Sequence, residues 1–340
     1  MMRRVGLVLV AFMGLLLSLY HPSFALAVSQ IEFDLHIPAG NSATYTFKVH
    51  NDESVTDDVK IYLADWDRDA QGNHRFYDPG TLPRSDTAWI EVAPTRFTLQ
   101  PDETKEVRFT ISVPPDAAGT YWGMIMVEGQ PRPEKHAGAT VMVVPRFGVK
   151  VYETPPGTGR KDGQITKIER LGLNPLTFLI DFENTGTVHL HVSGEVQLID
   201  SQGQTVERIV IASFPILPGA VREVRAVGSA PRPAAGRYYA LAVLDFGGDY
   251  IPAGQLLFDV PELKLVPIGG SGNLPQDLDG DGFYEDVNGD GSFTKADPEL
   301  LEEELSSAAV QNNWPAFDFD NDGDVDEDDV AALRGLLSSG

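Results

Sequence analysis

The chain has 340 residues, of which 42% are hydrophobic, and a formal net charge of −24. This apolar fraction is typical of globular domains and excludes a disordered chain. The absence of cysteine excludes disulfides, thiolate metal sites and a cysteine nucleophile, and the acidic balance excludes attraction to nucleic acid or anionic lipid.

Residues 1–27 have the pattern of an export signal. Two arginines precede an apolar run over residues 5–19, and Ala25 and Ala27 supply the small residues of a cleavage site. The run is shorter than the ~20 residues that a membrane helix needs. We therefore predict a mature chain that begins near Val28, is secreted or displayed at the cell surface, and has no membrane span. An uncleaved N-terminal anchor is the alternative.

The body of the chain, residues 28–265, predicts a mostly β fold. Runs in which polar and apolar residues alternate, such as 43–49, 106–113 and 121–127, are separated by turn residues at the spacing of a β-sandwich. We place one immunoglobulin-like β-sandwich at 28–155, a second at 164–265 and a linker at 266–276.

An internal repeat supports the division into two sandwiches. A strand that begins at Gly119 in the first half corresponds to one that begins at Gly236 in the second, and each is followed by paired aromatic residues. Asn51 follows a strand in the first half as Asn184 does in the second. The first copy carries an insertion around residues 67–89, which we expect to form a longer hairpin or loop.

The first copy resembles the immunoglobulin-like domain of periplasmic pilus chaperones and related bacterial surface proteins. The resemblance is carried by a leading strand, a turn and a later strand: Gly40, Tyr45, Phe47, Val49 and Asn51, then Leu99 and Pro101, then Gly119, Thr120, Tyr121 and Trp122. It implies a sandwich fold. For function it implies one alternative, a secreted assembly chaperone or adhesin that uses its sandwiches.

Two groups of polar side chains in the body could carry chemistry. Asp65, Asp67 and Asp69 would share one face of a strand, where carboxylates can serve as acid and base or hold a metal. The turn signal that follows favours a polar strand face, with Trp66 turned to the core. His189 and His191 would also share a face and could chelate a metal, but no third ligand is evident and we expect them to face solvent.

Large aromatic residues in the first sandwich could form a sugar-stacking platform: Trp66, Trp89, Tyr121 and Trp122. Such residues are more often part of a sandwich core, and a carbohydrate-active accessory protein remains an alternative. The sequence has no nucleophile elbow, phosphate loop or zinc-protease motif. We therefore expect a protein that is not an enzyme.

The negative charge concentrates in residues 277–340, which carry 19 acidic residues against Lys295 and Arg334. Two stretches, 286–297 and 318–329, place oxygen-bearing side chains at positions 1, 3, 5, 9 and 12 and glycine at position 6. This is the spacing with which EF-hand loops surround calcium, a cation that takes six to eight oxygen ligands. The tail therefore predicts two calcium ions.

Each loop runs into an apolar stretch at helical spacing. The apolar residues are Leu300, Leu301 and Leu305 after the first loop, and Val330, Leu333, Leu336 and Leu337 after the second. Pro298 suits the first turn of its helix, where a missing N–H has no consequence. Phe293 and Val325 occupy position 8, and we expect them to pack together and exchange short strand hydrogen bonds.

The segment 286–337 resembles a type I dockerin, since position 12 is Asp and the first loop has no room for a preceding helix. The resemblance implies docking onto a cohesin domain of a scaffold or surface protein, with partner choice at Lys295, Ala296, Glu327 and Asp328. An intramolecular clamp or a stabilising tail is the alternative. By the family pattern the calcium ligands are Asp286, Asn288, Asp290, Ser292, Thr294 and Asp297, then Asp318, Asp320, Asp322, Asp324, Asp326 and Asp329.

A third acidic pattern overlaps the start of the first loop. Asp277, Asp279 and Asp281 precede a glycine, as in the other loops, and Glu285 follows, but position 12 would be Asn288, which the next loop already uses. We interpret this stretch as a polar lead-in turn, with a third ion site as the alternative.

Overall fold

The computed structural model describes residues 26–136, 139–230 and 232–338 as two β-sandwiches followed by a small helical module. The predicted export signal lies outside the described residues except for its last two positions. Of these, Leu26 is buried and Ala27 begins the first strand. Within the described part of the chain, no helix is long and apolar enough to cross a membrane.

The first sandwich packs one sheet against another around a shared core. Its strands are β1 (Ala27–Val28), β2 (Glu32–Leu35), β3 (Ser42–His50), β4 (Asp57–Arg68), β5 (His74–Tyr77), β6 (Ile90–Ala93), β7 (Arg96–Leu99), β8 (Thr104–Ser112), β9 (Tyr121–Glu128), β10 (Arg132–His136), β11 (Ala139–Val143) and β12 (Arg146–Glu153). One sheet has the order β1-β3-β8-β6 and the other β2-β12-β9-β4-β5, with β7 also paired to β4. Strand β2 runs parallel to β12, and β10 and β11 form a separate hairpin.

Alternating burial explains why the facing strands form where they do. In β8 the side chains of Val107, Phe109 and Ile111 are buried, whereas the residues between them are exposed or half-buried. Phe47 and Val49 of the paired strand β3 point into the same core. Each fully buried side chain of this size contributes about 1.5–3 kcal/mol.

The second sandwich repeats this architecture with a smaller sheet opposite a larger one. Its strands are β13 (Gln164–Leu173), β14 (Leu176–Glu183), β15 (Leu190–Ile199), β16 (Thr205–Ile216), β17 (Val221–Val227), β18 (Gly236–Asp245) and β19 (Ala253–Val260). The orders are β13-β14-β17 and β16-β15-β18-β19. Phe178 and Phe182 from β14 pack against residues of the opposite sheet such as Leu190 and Ala240.

A buried asparagine occupies the equivalent position in both sandwiches. The Asn51 amide donates to a carbonyl four residues on and to the carbonyl of Leu99, at 2.8 and 3.3 Å. The Asn184 amide donates to the corresponding carbonyls, the second being that of Ile216, at 2.9 and 3.2 Å. Each asparagine oxygen accepts the N–H two residues on. The sequence repeat thus has a structural counterpart.

The sandwiches contact each other through backbone and apolar groups. Thr120 N–H donates to the Thr187 carbonyl at 2.8 Å. Leu217, from the turn after β16, packs into a cluster with Trp66, Trp122 and other residues of the first sandwich. The junction is therefore partly apolar.

The C-terminal module contains α1 (Ala296–Glu304), α2 (Ala308–Gln311) and α3 (Glu327–Leu336). Its core gathers buried residues from the helices, from both acidic loops and from the preceding segment: Ile268, Val287, Leu301, Val310, Ala316, Phe317, Val325, Val330 and Leu333. Ile268 lies within the stretch 266–276 that we predicted as a linker, and it is 1% exposed. This part of the segment packs on the module.

Candidate metal centre

Each of the two acidic loops curls around a buried aspartate at its first position. The carboxylate oxygens of Asp286 accept hydrogen bonds from the backbone N–H groups at loop positions 5 and 6, at 3.0 and 2.7 Å. Asp318 accepts the same pair in the second loop, at 3.0 and 3.2 Å. Gly291 and Gly323 at position 6 have φ of +89° and +105°, where a side chain would be strained. The repeated glycine is therefore required by the turn.

A second buried aspartate closes each loop at position 12. One oxygen of Asp297 accepts the N–H of position 3 at 3.2 Å and the other accepts the N–H of position 9 at 2.8 Å. Asp329 accepts the same two N–H groups at the same two distances. In the second loop the position 9 residue, Asp326, also caps α3. Closure of the loop and initiation of the helix thus use the same residues.

The remaining predicted ligands converge on these two aspartates. In the first loop, Asn288 and Asp286 both accept the N–H of Asp290. In the second, Asp318, Asp320 and Asp322 each offer a carboxylate oxygen within 4.8 Å of the others, and Asp324, Asp326 and Asp329 do the same. Position 7, where a backbone carbonyl is expected to bind, is occupied by Ser292 and Asp324, both exposed.

Burial and mutual repulsion make the second loop electrostatically strained. Burial and then the neighbouring carboxylates, Asp329 foremost, raise the pKa of Asp318 to about 7. Burial, opposed by hydrogen bonds from two backbone N–H groups, raises the pKa of Asp329 to about 6. The pKa of Asp320 is also raised, first by burial and then by Asp322. Burial is thus the main cause of each shift, and repulsion between neighbouring carboxylates adds to it.

The donor set fits calcium. The side chains gathered in each loop offer carboxylate, amide and hydroxyl oxygens, which are the ligands of a hard cation. The loops offer no imidazole or thiolate, the ligands that zinc or copper prefer. The residues that would hold an ion are those at positions 1, 3, 5, 7, 9 and 12 of each loop.

The third acidic turn also folds around an aspartate at position 1 that accepts backbone hydrogen bonds. Its last carboxylate comes from a different position than in the two loops. Asp277 accepts from the N–H groups of Gly280 and Gly282 at 2.7 and 2.9 Å. Glu285 lies close enough to Asp277 and Asp279 for the three to offer oxygens within 4.8 Å of one another. Glu285, which belongs to the predicted pattern, thus supplies the third carboxylate, while Asn288 at position 12 belongs to the first loop.

Of the seven predicted apolar residues after the loops, three are buried, three are half-buried and one is exposed. Leu301 of α1 and Val330 and Leu333 of α3 are buried, whereas Leu336 is 52% exposed. The expected strand hydrogen bonds between Phe293 and Val325 are absent from the bridges of the described residues. The packing part of the prediction is confirmed, since Phe293 packs against the core cluster that contains Val325, and the Val325 carbonyl accepts from the Gln311 side chain at 3.1 Å.

The residues expected to select a partner lie on the surface. Lys295 and Ala296 after the first loop, and Glu327 and Asp328 after the second, are all exposed. A shallow depression of about 300 Å³ beside them is lined by Lys295, Pro298, Glu299, Arg334, Leu337 and Ser338. The two helix starts are therefore accessible, and they differ in charge.

The three alternating aspartates of β4 do not form a common site. Asp65 is fully buried and accepts hydrogen bonds from Leu82 N–H at 2.7 Å and Ser85 Oγ at 2.6 Å, among others. Asp67 pairs with Arg75, and Asp69 stabilises the following turn. The prediction of one polar face was wrong for Asp65, because residues 80–87 fold over that face of β4.

The other body candidates are used structurally. His189 stacks on Tyr152 at 4.3 Å between ring centroids, and the metal-competent groups of the described residues include neither His189 nor His191. The expectation that both face solvent was wrong for His189, which lies at the junction of the sandwiches. Trp66 and Trp122 are buried and donate to the Gly123 and Trp66 carbonyls. These two belong to the core, whereas Trp89 and Tyr121 are half-buried and pack on each other at 4.4 Å between ring centroids.

Sequence reasoning missed one residue of the second loop that contacts the body. Asn321, at position 4, has φ of +59° and hydrogen-bonds to the turn between β13 and β14. The first loop has Gly289 at this position. The sequence signal for this contact was the asparagine at position 4 of the second loop, where the first loop has glycine.

Comparison with solved structures gives distant likenesses. The chain is similar to a chaperone-tip adhesin complex of CFA/I fimbriae biogenesis, with 15% identity, a TM-score of 0.38 and coverage of 68% of this chain and 97% of that one. For the class 5 fimbriae chaperone CfaA the values are 16%, 0.37, 70% and 100%. For the CsuC–CsuE pre-assembly complex of Acinetobacter baumannii they are 12%, 0.38, 70% and 99%. No curated protein matches the sequence.

The family comparison concerns the C-terminal module. The profile of the dockerin type I domain matches residues 284–338. This range contains both loops, the helices α1 to α3 and the core that joins them. Residues 284–338 are therefore a type I dockerin domain, a calcium-binding module for docking onto a protein partner, and it follows a body of two immunoglobulin-like β-sandwiches.

Proposed function

We propose that this chain is an exported, non-catalytic protein whose dockerin domain binds two calcium ions and attaches the body to a cohesin-type partner. One observation carries the proposal. In both loops, a buried aspartate at position 1 and another at position 12 accept hydrogen bonds from the backbone N–H groups of the same loop positions.

The charge of the module supports a dependence on the ion. The raised pKa values of Asp318 and Asp329 arise from burial and from nearby carboxylates, so the ionised loop opposes its own folding. Bound calcium supplies positive charge that offsets this repulsion, and its binding energy adds to the folding energy of the module. The chain's own contribution is to hold the oxygens in place and, in the second loop, to start α3 with the residues that close the loop.

The surface next to the loops supports a protein partner. Lys295 and Ala296 at one helix start, and Glu327 and Asp328 at the other, are exposed. Because one pair carries a positive charge and the other two negative charges, we expect one orientation of the partner to be preferred. Export rests on the signal pattern of residues 1–27.

Binding to cohesin domains tests this function. The mature chain should bind at least one member of a panel of immobilised cohesins in calcium and dissociate in a chelator. The double variant Asp297→Ala, Asp329→Ala should not bind, whereas Asp116→Ala, an exposed acid of the body, should bind as the wild type does. Binding that persists in the chelator, or a panel with no ligand at all, would contradict the proposal.

A further inference from the structure

The second calcium loop lies against the second sandwich through one side chain. The Asn321 oxygen accepts the N–H of Asn174 at 2.9 Å, and its amide nitrogen donates to the Pro175 carbonyl at 2.8 Å. The same nitrogen lies 3.4 Å from Thr177 Oγ1. The Asn321 side chain thus both accepts a hydrogen bond from the backbone of the turn that joins β13 to β14 and donates one to it.

The two backbones approach each other where glycines allow it. A methyl group on Gly172 of β13 would overlap both the side chain and the carbonyl oxygen of Asn321. A methyl group on Gly323 of the loop would lie 2.6 Å from the Leu171 carbonyl oxygen. Gly323 is already required by the loop conformation. Gly172 has no positive φ, so the close approach of Asn321 is what requires glycine there.

Further contacts surround this centre. The Asn174 side chain donates to the carbonyl of Asp281 in the third acidic turn at 2.8 Å. Arg170 of β13 lies over the Trp314 ring at 5.2 Å, and Trp314 packs against the cores of both the second sandwich and the dockerin domain. Asn313 exchanges hydrogen bonds with the backbone of Lys264 at 2.6 and 3.1 Å. The domain is therefore held at several points around the loop.

The first loop lacks the central contact. Its position 4 residue is Gly289, with φ of +70° against +59° at Asn321. Glycine is the unstrained choice for this left-handed conformation, and asparagine is tolerated there. The second loop therefore has an asparagine at a position where glycine would serve the ion site equally well, and the side chain contacts only the body.

We propose that the turn between β13 and β14 clamps the second calcium loop through Asn321, so that ion binding in this loop and docking of the dockerin domain onto the body favour each other. The clamp fixes residues 321 and 323, which connect the ligands Asp320, Asp322 and Asp324. Ion binding and docking select the same curled loop, and by linkage each strengthens the other. The proposal rests on calcium binding by the second loop, and the first loop serves as an internal reference.

Calcium calorimetry on the full mature chain tests the clamp. Asn321→Gly installs the residue of the first loop and keeps the left-handed backbone, and Gly172→Ala pushes the loop off the sandwich. Each should lower the affinity of one ion on the order of tenfold and leave the other unchanged. Asp116→Ala, at an exposed site of the first sandwich, is the control and should match the wild type.

A distance measurement provides the second readout. The chain has no cysteine, so spin labels can be attached through Gln202→Cys in the body and Glu303→Cys on α1, both exposed. We expect one narrow distance distribution with calcium, and a broad one in Asn321→Gly. If the wild type binds two ions but neither variant changes a calcium affinity or the distance distribution, the clamp proposal is wrong and the proposed function stands. A wild type that binds no calcium overturns the proposed function as well.

Discussion

Asp86 carries a carboxyl group buried away from both water and hydrogen-bond donors. It is fully buried, and neither carboxyl oxygen has a hydrogen-bond partner among the described residues. Burial, with a further effect from the nearby Asp65, raises its pKa well above the usual value. Asp65 itself is held by several donors, among them Leu82 N–H and Ser85 Oγ. The Asp65 carboxylate thus has several hydrogen-bond donors, whereas the nearby Asp86 carboxyl has none among the described residues.

This contrast predicts that the first sandwich is less stable at high pH. A carboxyl whose folded pKa exceeds its unfolded pKa binds more protons when folded, so its contribution to stability is lost as pH rises through the raised value. Each unit of difference corresponds to about 1.4 kcal/mol. Urea unfolding, followed by tryptophan fluorescence, should show a midpoint that falls as the pH rises above the ordinary pKa of an aspartate, about 4.

The variant Asp86→Asn removes the titrating group and should flatten this pH dependence, so that it exceeds the wild type in stability at alkaline pH. Asp116→Asn, at an exposed site, should follow the wild-type curve. An alkaline midpoint in Asp86→Asn that falls as steeply as in the wild type would show that Asp86 does not ionise over this range.

At the scale of elements, the helices of the dockerin domain stabilise it through one buried face each. Leu301 of α1 and Leu333 of α3 are both fully buried in the same core, whereas Leu336, one turn further along α3, is 52% exposed. The Asp326 capping box starts α3 at the closing residues of the second loop. Packing of α3 and the shape of the loop should therefore depend on each other.

Leu333→Ala should destabilise the domain by about 2–5 kcal/mol, because it leaves a cavity in a small core. Thermal unfolding in saturating calcium, followed by far-ultraviolet circular dichroism, measures the loss. Leu336→Ala provides the comparison at an exposed site and should change the free energy of unfolding by less than about 0.5 kcal/mol. Equal effects of the two substitutions would mean that α3 does not pack as described.

Local patterns explain which elements could be predicted from the sequence. Alternation in β8, the strand repeat at Gly119 and Gly236, and the loop spacing each depend on neighbours in the chain, and the corresponding elements are present. Burial of Asp65 next to the correctly predicted core residue Trp66 could not be predicted, because residues distant in sequence cover both faces of β4. The hydrogen bond from Gln311 to Val325 also joins segments whose meeting depends on the tertiary fold.

At the scale of the whole molecule, the sandwiches and the dockerin domain are joined by packed contacts. Leu217 packs against Trp66 and Trp122 at one junction, and Trp314 is shared between cores at the other. Sequence composition suggested a free linker before the dockerin domain, yet Ile268 is buried in its core. Calcium loops attached in this way would hold a bound partner at a defined orientation to the body.

The most direct test of the account is a calcium titration of the mature chain by calorimetry, with circular dichroism recorded on the same samples. We expect two ions per chain with micromolar or tighter affinity and a gain of helical signal that a chelator reverses. The double variant Asp286→Ala, Asp318→Ala should bind neither ion. Two undisturbed titrations in that variant, or a wild type whose spectrum and heat are the same with and without calcium, would contradict the assignment of the loops.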